Sequence, residues 1–173
     1  KLWKCRKQAF GAIGRLSSSF CTQDGVVPRT KLPQIFKGIQ ATSKKYDIRI
    51  VNVFHAGDGN LHPCMLFDER EPGVLDKAMA GAAELMGYCV EMGGTLSGEH
   101  GIGLEKKQYM PLVFNENDLA AMRAVRDCFA PANRLNPGKI ISDDPHATIR
   151  HLRPPVVVVP ELVELELTWS PEE

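Results

Sequence analysis

Two runs of strand-forming side chains, IRIVNVF at 48–54 and LHPCMLF at 61–67, are separated only by His55 and the short segment AGDGN, and this closeness constrains the fold more than any other feature. Alternation with a period of two, rich in β-branched residues, argues for strands. The Asp58-Gly59 pair is a two-residue hairpin signal, so the two runs should pair antiparallel. With Asp58 and Gly59 at the turn positions, Gly57 opposes Asn60, Ala56 opposes Leu61 and His55 opposes His62. The two imidazoles then share one face, with Cβ atoms about 4.5–5.5 Å apart. Both rings would reach a single divalent ion at Zn–N distances of about 2.0–2.1 Å. Two histidines on a sheet surface also simply stack, and the hairpin alone does not choose between these readings.

The elements around this hairpin follow from helical periodicity and its punctuation. Trp3, Phe10, Ile13 and Leu16 recur at near-helical spacing and predict a first helix over 3–16. Residues 25–28 read as a short strand. Thr30 can cap a helix over 32–45, with Pro33 in its first turn and Leu32, Ile35, Phe36 and Ile39 as the buried stripe. The longest helix is expected over 72–92, with Leu75, Met79, Ala82, Leu85, Met86 and Cys89 on one face and Gly93-Gly94 as its stop. A short strand at Thr95 and Leu96 leads to a final helix over 115–128, with Leu119, Met122, Val125 and Phe129 as core contacts. RLNPGK, residues 134–139, reads as an ordered turn. This order predicts an α+β fold, an antiparallel sheet covered on one face by helices, with a helical segment toward the C-terminal side. A domain over 1–141 is then followed by a tail over 142–173, where five prolines and a four-valine run suggest at most an edge strand at 156–159.

Composition narrows the function. Lysine plus arginine and aspartate plus glutamate both number 21 in 173 residues, so no charge footprint points to nucleic acid or an anionic membrane. No apolar run approaches the roughly 20 residues of a membrane span, and the first residues lack a signal-peptide pattern. A soluble intracellular protein is the expectation. Five scattered cysteines without a CxxC pair fit reduced thiols in the cytoplasm. The sequence opens on Lys1 in what reads as mid-helix, which suggests a piece of a larger protein.

The second chemical feature is SGEHGIG, residues 97–103, where Glu99 and His100 stand among three glycines that let backbone approach a bound group closely. Two imidazoles and one carboxylate, with positions left open, form a recognised catalytic metal arrangement, and Glu99 supplies the carboxylate without spending His100. Adjacent side chains diverge, so Glu99 can face an ion while His100 faces a substrate. A solvated glycine-rich turn is the plain alternative.

HAGDGNLHP, GGTLSGEHGIGLEKK and RLNPGK, in that order, resemble the C-terminal domain of FAD-linked oxidases of the vanillyl-alcohol oxidase type. The glycolate oxidase branch is the nearest in look, with D-lactate and D-2-hydroxyglutarate dehydrogenases as relatives. KLWKCRKQAF and VVPRTKLPQIF extend the likeness from Trp3 to about Ile141. The resemblance implies part of a ferredoxin-like cap domain and oxidation of a short 2-hydroxy acid to the 2-oxo acid. It implies that His55, His62 and Glu99 hold a divalent metal (zinc, iron or manganese) and that His100 is the general base, since an imidazole both takes and gives a proton near neutral pH. Arg6 matches an arginine that grips the substrate carboxylate, a task suited to its bidentate fork. Asn136 matches a position close to the flavin, Asn60 one that braces the turn, and Lys139 either touches the cofactor or caps a turn. Where the 2-hydroxyglutarate relatives carry Asn two positions after the second histidine, this chain has Cys64, which favours glycolate or lactate. Cys64 itself reads as a small core residue.

The family binds FAD mainly through a separate N-terminal domain whose glycine-rich pyrophosphate loop has no counterpart in these residues. The chain by itself is therefore expected to be inactive, with an unpaired sheet edge and an uncovered apolar face that invite self-association. The resemblance also implies partner subunits, an iron–sulfur protein among them, and through them a peripheral place at the inner face of the membrane. Besides the dehydrogenase fragment, a non-enzymatic metal-binding or assembly module and a metal-dependent hydrolase remain open on the same residues.

Overall fold

The computed structural model describes residues 2–132 and 134–141; the predicted tail, with its strand at 156–159, lies outside the described residues. Two short helices open the chain, α1 (Leu2–Lys7) and α2 (Ala9–Ile13). The single helix expected over 3–16 is broken at Gln8, whose backbone leaves the helical region (φ −99°, ψ 2°). With the helix interrupted at Gln8 the apolar positions do not form one buried stripe: Ile13 is buried while Trp3 stays 73% exposed.

The strands β1 (Ser19–Thr22) and β2 (Gly25–Val26) follow. A 3-10 turn over Arg29–Lys31 then leads into α3 (Leu32–Tyr46). Pro33 sits in the first turn of α3, but Thr30 is not its cap: the helix begins after Lys31 and no side chain caps it. The hairpin strands are β3 (Arg49–His55) and β4 (Asn60–Phe67), followed by α4 (Val74–Glu91). Gly93, at φ 80°, ends the descent from α4 as the glycine pair suggests. A second 3-10 stretch spans Lys107–Leu112, and α5 (Glu116–Phe129) starts on a reciprocal cap between Asn115 and Asp118. Leu119 of α5 is buried, whereas Val125 and Phe129 are exposed rather than in the core.

β4 is the axis of the sheet. β3 runs antiparallel along one side, from Arg49 opposite Leu66 to His55 opposite Asn60. Along the other side lie β1, with Thr22 opposite Cys64, and β2, with Gly25 opposite Leu61. The break between β1 and β2 has a cause in β4: Gln23 N–H donates to Pro63 O at 3.0 Å, and Pro63 has no N–H to return. The ladder therefore lapses at Gln23 and Asp24, and the chain bends there. Thr95 forms only an isolated bridge with Val26 in place of the expected strand. The outer edge of β3 pairs with no strand among the described residues.

Alternation assigns the two sheet faces different work. Leu61, Met65 and Phe67 join Ile35 and Ile39 of α3 and Ala78, Ala82, Leu85, Met86 and Cys89 of α4 in the main core. The opposite face carries a smaller cluster, Val53, Cys64 and Leu66 under Ile13. All five cysteines are free thiols, and Cys64 is fully buried as expected of a core residue.

The hairpin corrects the predicted register. His55 pairs with Asn60 and Val53 with His62, so the turn has four residues, 56–59, rather than two. Asp58 N–H donates to His55 O at 2.9 Å, and only Gly59 (φ 75°) takes a positive φ, which rules out the two-residue turn that needs it at both central positions. The cause is tertiary: Val27 N–H donates to Gly59 O at 3.0 Å, and a Cβ on Gly59 would stand 2.1 Å from Val27 O. A slip of two keeps the parity of every side chain, so His55 and His62 still share a face, now as diagonal neighbours.

Between α3 and α4 lies a buried carboxylate, Glu84, which accepts hydrogen bonds from Lys45 Nζ, Tyr46 OH (3.0 Å), Tyr88 OH (2.9 Å) and Thr42 Oγ1 (3.4 Å). Burial alone would raise its pKa, but the bonds from Lys45, Tyr88 and Tyr46 override that and hold it below the ordinary value of 4.5. Its stabilisation is therefore complete above that ordinary value and is lost as pH falls through the depressed folded value. Glu84→Gln should cost about 1–3 kcal/mol at pH 7, because buried donors lose a charged acceptor. In urea melts from pH 7 to pH 3 the gap between the variant and the parent should narrow toward the acid end. A gap that stays constant would show that the ionised form of Glu84 contributes nothing.

Candidate metal and substrate site

The hairpin end on the thinly covered face positions the chemistry. His55 is the last residue of β3 and His62 the third of β4; their rings meet edge to face with centroids 5.4 Å apart. His62 is 3% exposed, and neither of its ring nitrogens has a hydrogen-bond partner. Burial first, then the neighbouring His100, lower its pKa, so the imidazole is held neutral with a lone pair to give. A buried imidazole with two orphaned nitrogens calls for a partner, and a cation supplies one.

Glu99 arrives from the loop after α4, which is laid directly against the hairpin. A Cβ on Gly94 would stand 1.7 Å from Val26 O, and one on Gly98 would stand 2.7 Å from the Asn60 side chain. These two glycines therefore set how closely the loop approaches, with Gly98 packed against the Asn60 side chain. Glu99 Oε1 lies 3.3 Å from His55 Nε2, and Oε2 lies 3.6 Å from His62 Nε2. The ligand atoms of His55, His62 and Glu99 all fall within 4.8 Å of one another. Donors about 2.1 Å from a tetrahedral centre stand roughly 3.4 Å apart, so the spacing suits one divalent ion with N, N and O ligands.

The other two residues singled out for the reaction stand at the rim. The His100 ring stacks on His62 at 4.8 Å and 10° between planes, outside the donor set. Arg6 reaches over from α1, its Nη2 3.2 Å from His55 Nε2. That nitrogen thus faces a pure donor in Arg6 and a pure acceptor in Glu99, which no single tautomer satisfies. Asn136, at φ 48°, is exposed in the 134–141 loop. The loop is tied to the glycine-rich segment by Ile140 N–H to Gly103 O (2.8 Å) and Lys107 Nζ to Gly138 O (3.0 Å). Among the described residues the Asn136 side chain makes no hydrogen bond to the cluster.

Two residues that sequence reasoning passed over complete the site. Asp24, with no exposed surface, lies at the β1–β2 break and accepts from Ser97 Oγ at 2.7 Å and from backbone N–H groups of residues 98–100, while buried Lys106 pairs with it at 3.2 Å. Burial would raise its pKa, yet the bonds from Ser97 and His100 N–H and the Lys106 charge keep the carboxyl well below the usual carboxylate range. Its main partners lie more than 70 positions away in sequence, and QDG at 23–25 looks like any polar lead into a strand.

Residues 1–140 match the model of the C-terminal domain of FAD linked oxidases, and the chain belongs to that family. It is 47% identical over 141 residues to glycolate oxidase subunit GlcD of Escherichia coli strain K12, an overlap covering 82% of this chain and 28% of that protein. The Bacillus subtilis GlcD is 37% identical over 143 residues, 83% of this chain and 30% of its own length. A D-lactate dehydrogenase of Anaerostipes hadrus is 35% identical over 118 residues, 68% of this chain and 25% of that protein. The chain thus spans less than a third of each of these relatives.

Because Arg6 Nη2 stands 3.2 Å from His55 Nε2, it competes with any cation placed there. Calorimetric titration with Zn²⁺ in the absence of substrate should show Arg6→Ala binding about tenfold more tightly, the equivalent of roughly 1.4 kcal/mol. Equal or weaker binding would mean that Arg6 does not guard the donor set.

Proposed function

We propose that this chain is the metal- and substrate-binding part of a flavin-dependent dehydrogenase that oxidises a short 2-hydroxy acid, glycolate or D-lactate, to the 2-oxo acid. The observation that carries this reading is the meeting of His55, His62 and Glu99 around one point, with His100 and Arg6 at its rim. Kinship to proteins named for glycolate oxidation and D-lactate dehydrogenation supports the substrate class.

In this reading His55, His62 and Glu99 hold a zinc, iron or manganese ion. When bound, such an ion supplies Lewis acidity that makes a substrate hydroxyl easier to deprotonate. Arg6 turns from His55 to the substrate carboxylate and takes it in a two-pronged hydrogen bond, which fixes the orientation of the α-carbon. His100 accepts the hydroxyl proton; its exposed position leaves it free to pass that proton on to water. The flavin, held chiefly by residues other than those in this sequence, supplies the hydride acceptor, and Asn136 is the residue here assigned to its vicinity. Cys64, buried two positions beyond His62, offers no polar contact to a second carboxylate, which favours the shorter acids. Electron transfer onward would use separate subunits, an iron–sulfur protein among them, on the cytoplasmic side of the membrane.

Metal analysis and turnover test the two halves of the reading separately. The purified chain should retain about one equivalent of divalent metal, and His55→Ala should lose it. In a flavin-loaded protein that contains this chain, His100→Ala should reduce glycolate or D-lactate turnover by about 10²–10⁴-fold while the metal content is kept. Metal lost along with activity would move His100 from proton transfer to ligation. Full turnover by His100→Ala would remove the base from this mechanism.

A further inference from the structure

The geometry points to Asp24 as the positioning residue of this site, a buried carboxylate that sets Glu99 and His100 against His62 without itself taking the cation. This rests on the reading of His55, His62 and Glu99 as ligands. Oδ2 of Asp24 accepts from Ser97 Oγ (2.7 Å), His100 N–H (2.9 Å), Gly98 N–H (3.0 Å), Glu99 N–H (3.2 Å) and Lys106 Nζ (3.2 Å). Oδ1 lies 3.1 Å from Gly98 N and 3.3 Å from Glu99 N. Three successive amides thus close around one charge, and Ser97 Oγ in turn accepts from Gly101 N–H at 2.8 Å, which completes the loop. With the backbone of 98–100 pinned, the adjacent side chains of Glu99 and His100 have little freedom in where they project.

The other end of the link is His62. Asp24 Oδ1 stands 3.6 Å from His62 Nε2, the same separation as Glu99 Oε2 from that nitrogen. Distance alone would admit Asp24 as a fourth ligand, but its surroundings exclude it. Both oxygens already face N–H and O–H donors, and Lys106, 2% exposed, anchors its Nζ on Asp24 Oδ2 (3.2 Å) and on the Asp24 carbonyl (2.9 Å). A dication on Asp24 would meet that buried ammonium at close range. The carboxylate therefore neutralises Lys106 and shapes the loop, while Glu99 brings the ligand charge. Groups that orient metal ligands from behind typically govern affinity by about 10–100-fold.

Co²⁺ titration of the whole chain, read by calorimetry and by the visible ligand-field spectrum, tests the assignment. Asp24→Asn leaves Lys106 without its counter-charge, so the double variant Asp24→Asn/Lys106→Met is made beside it, with near-UV circular dichroism to establish that each is folded. The folded variants should bind Co²⁺ about 10–100-fold more weakly, with an altered spectrum. Ser97→Ala, which leaves the Asp24–Lys106 pair in place, should weaken binding about fivefold and decides the matter if neither Asp24 variant folds. Parent affinity and spectrum in the folded variants would overturn the role of Asp24 and leave the ligand assignment standing. A parent chain that takes up no Co²⁺, like a His55→Ala control, would overturn the ligand assignment and this role with it.

Discussion

A carboxylate without access to water must be satisfied by the protein, and the site takes its shape from how Asp24 is satisfied. Pro63 leaves the ladder one N–H short, the neighbouring strand bends at Gln23–Asp24, and the side chain of Asp24 ends up fully enclosed. The loop after α4 folds its amides of residues 98–100 around that charge and Lys106 closes the other side. A missing hydrogen in β4 is thereby linked to the placement of a glutamate some 36 positions later in the chain, through one buried ion. Hydrogen bonds to an ionised group are roughly twice as strong as neutral ones, so the loop is held by a few strong contacts where an apolar core is thin.

Much of the hairpin could be read from the linear pattern because period two is robust to error. Its strands lie within one residue of expectation, and the shared face of His55 and His62 survives a register shift of two. The shift itself came from a contact the pattern does not carry, the docking of Gly59 on Val27. Helix existence was legible for the same reason in α3, α4 and α5, and burial only in part: Ala82, Leu85, Met86 and Cys89 of α4 are in the core as expected, but Leu75 and Met79 are exposed while Ala78 and Gly81 take the core side. Small residues let α4 approach α3 and the sheet closely, and a search for large apolar side chains overlooks them.

The site divides along the same line. His55, His62, Glu99 and His100 were visible because spacing and glycine context gave them a chemical reason to be together. Arg6 was legible only through family resemblance, since its helix offers no local cue separating it from Lys4 or Lys7. Asp24 and Lys106 were not legible at all. Each looks like a solvated charge until the fold brings them together across 82 positions, and a buried pair of this kind has no periodic signature.

The two faces of β4 explain why His62 is fixed while His55 and Glu99 are accessible. Every residue of β4 is buried, so His62 is held by the strand most deeply packed against the core, and its ring cannot follow a ligand outward. His55 and Glu99 have side chains 38% and 50% exposed, at the hairpin tip and on the loop. A cation bound by these three would rest on an immobile nitrogen and be open toward the rim. Arg6 and His100 stand on that rim, one able to hold a carboxylate and the other to take a proton. The α3 and α4 helices pack on the opposite face, so the core supplies the rigidity of the hairpin without closing that rim.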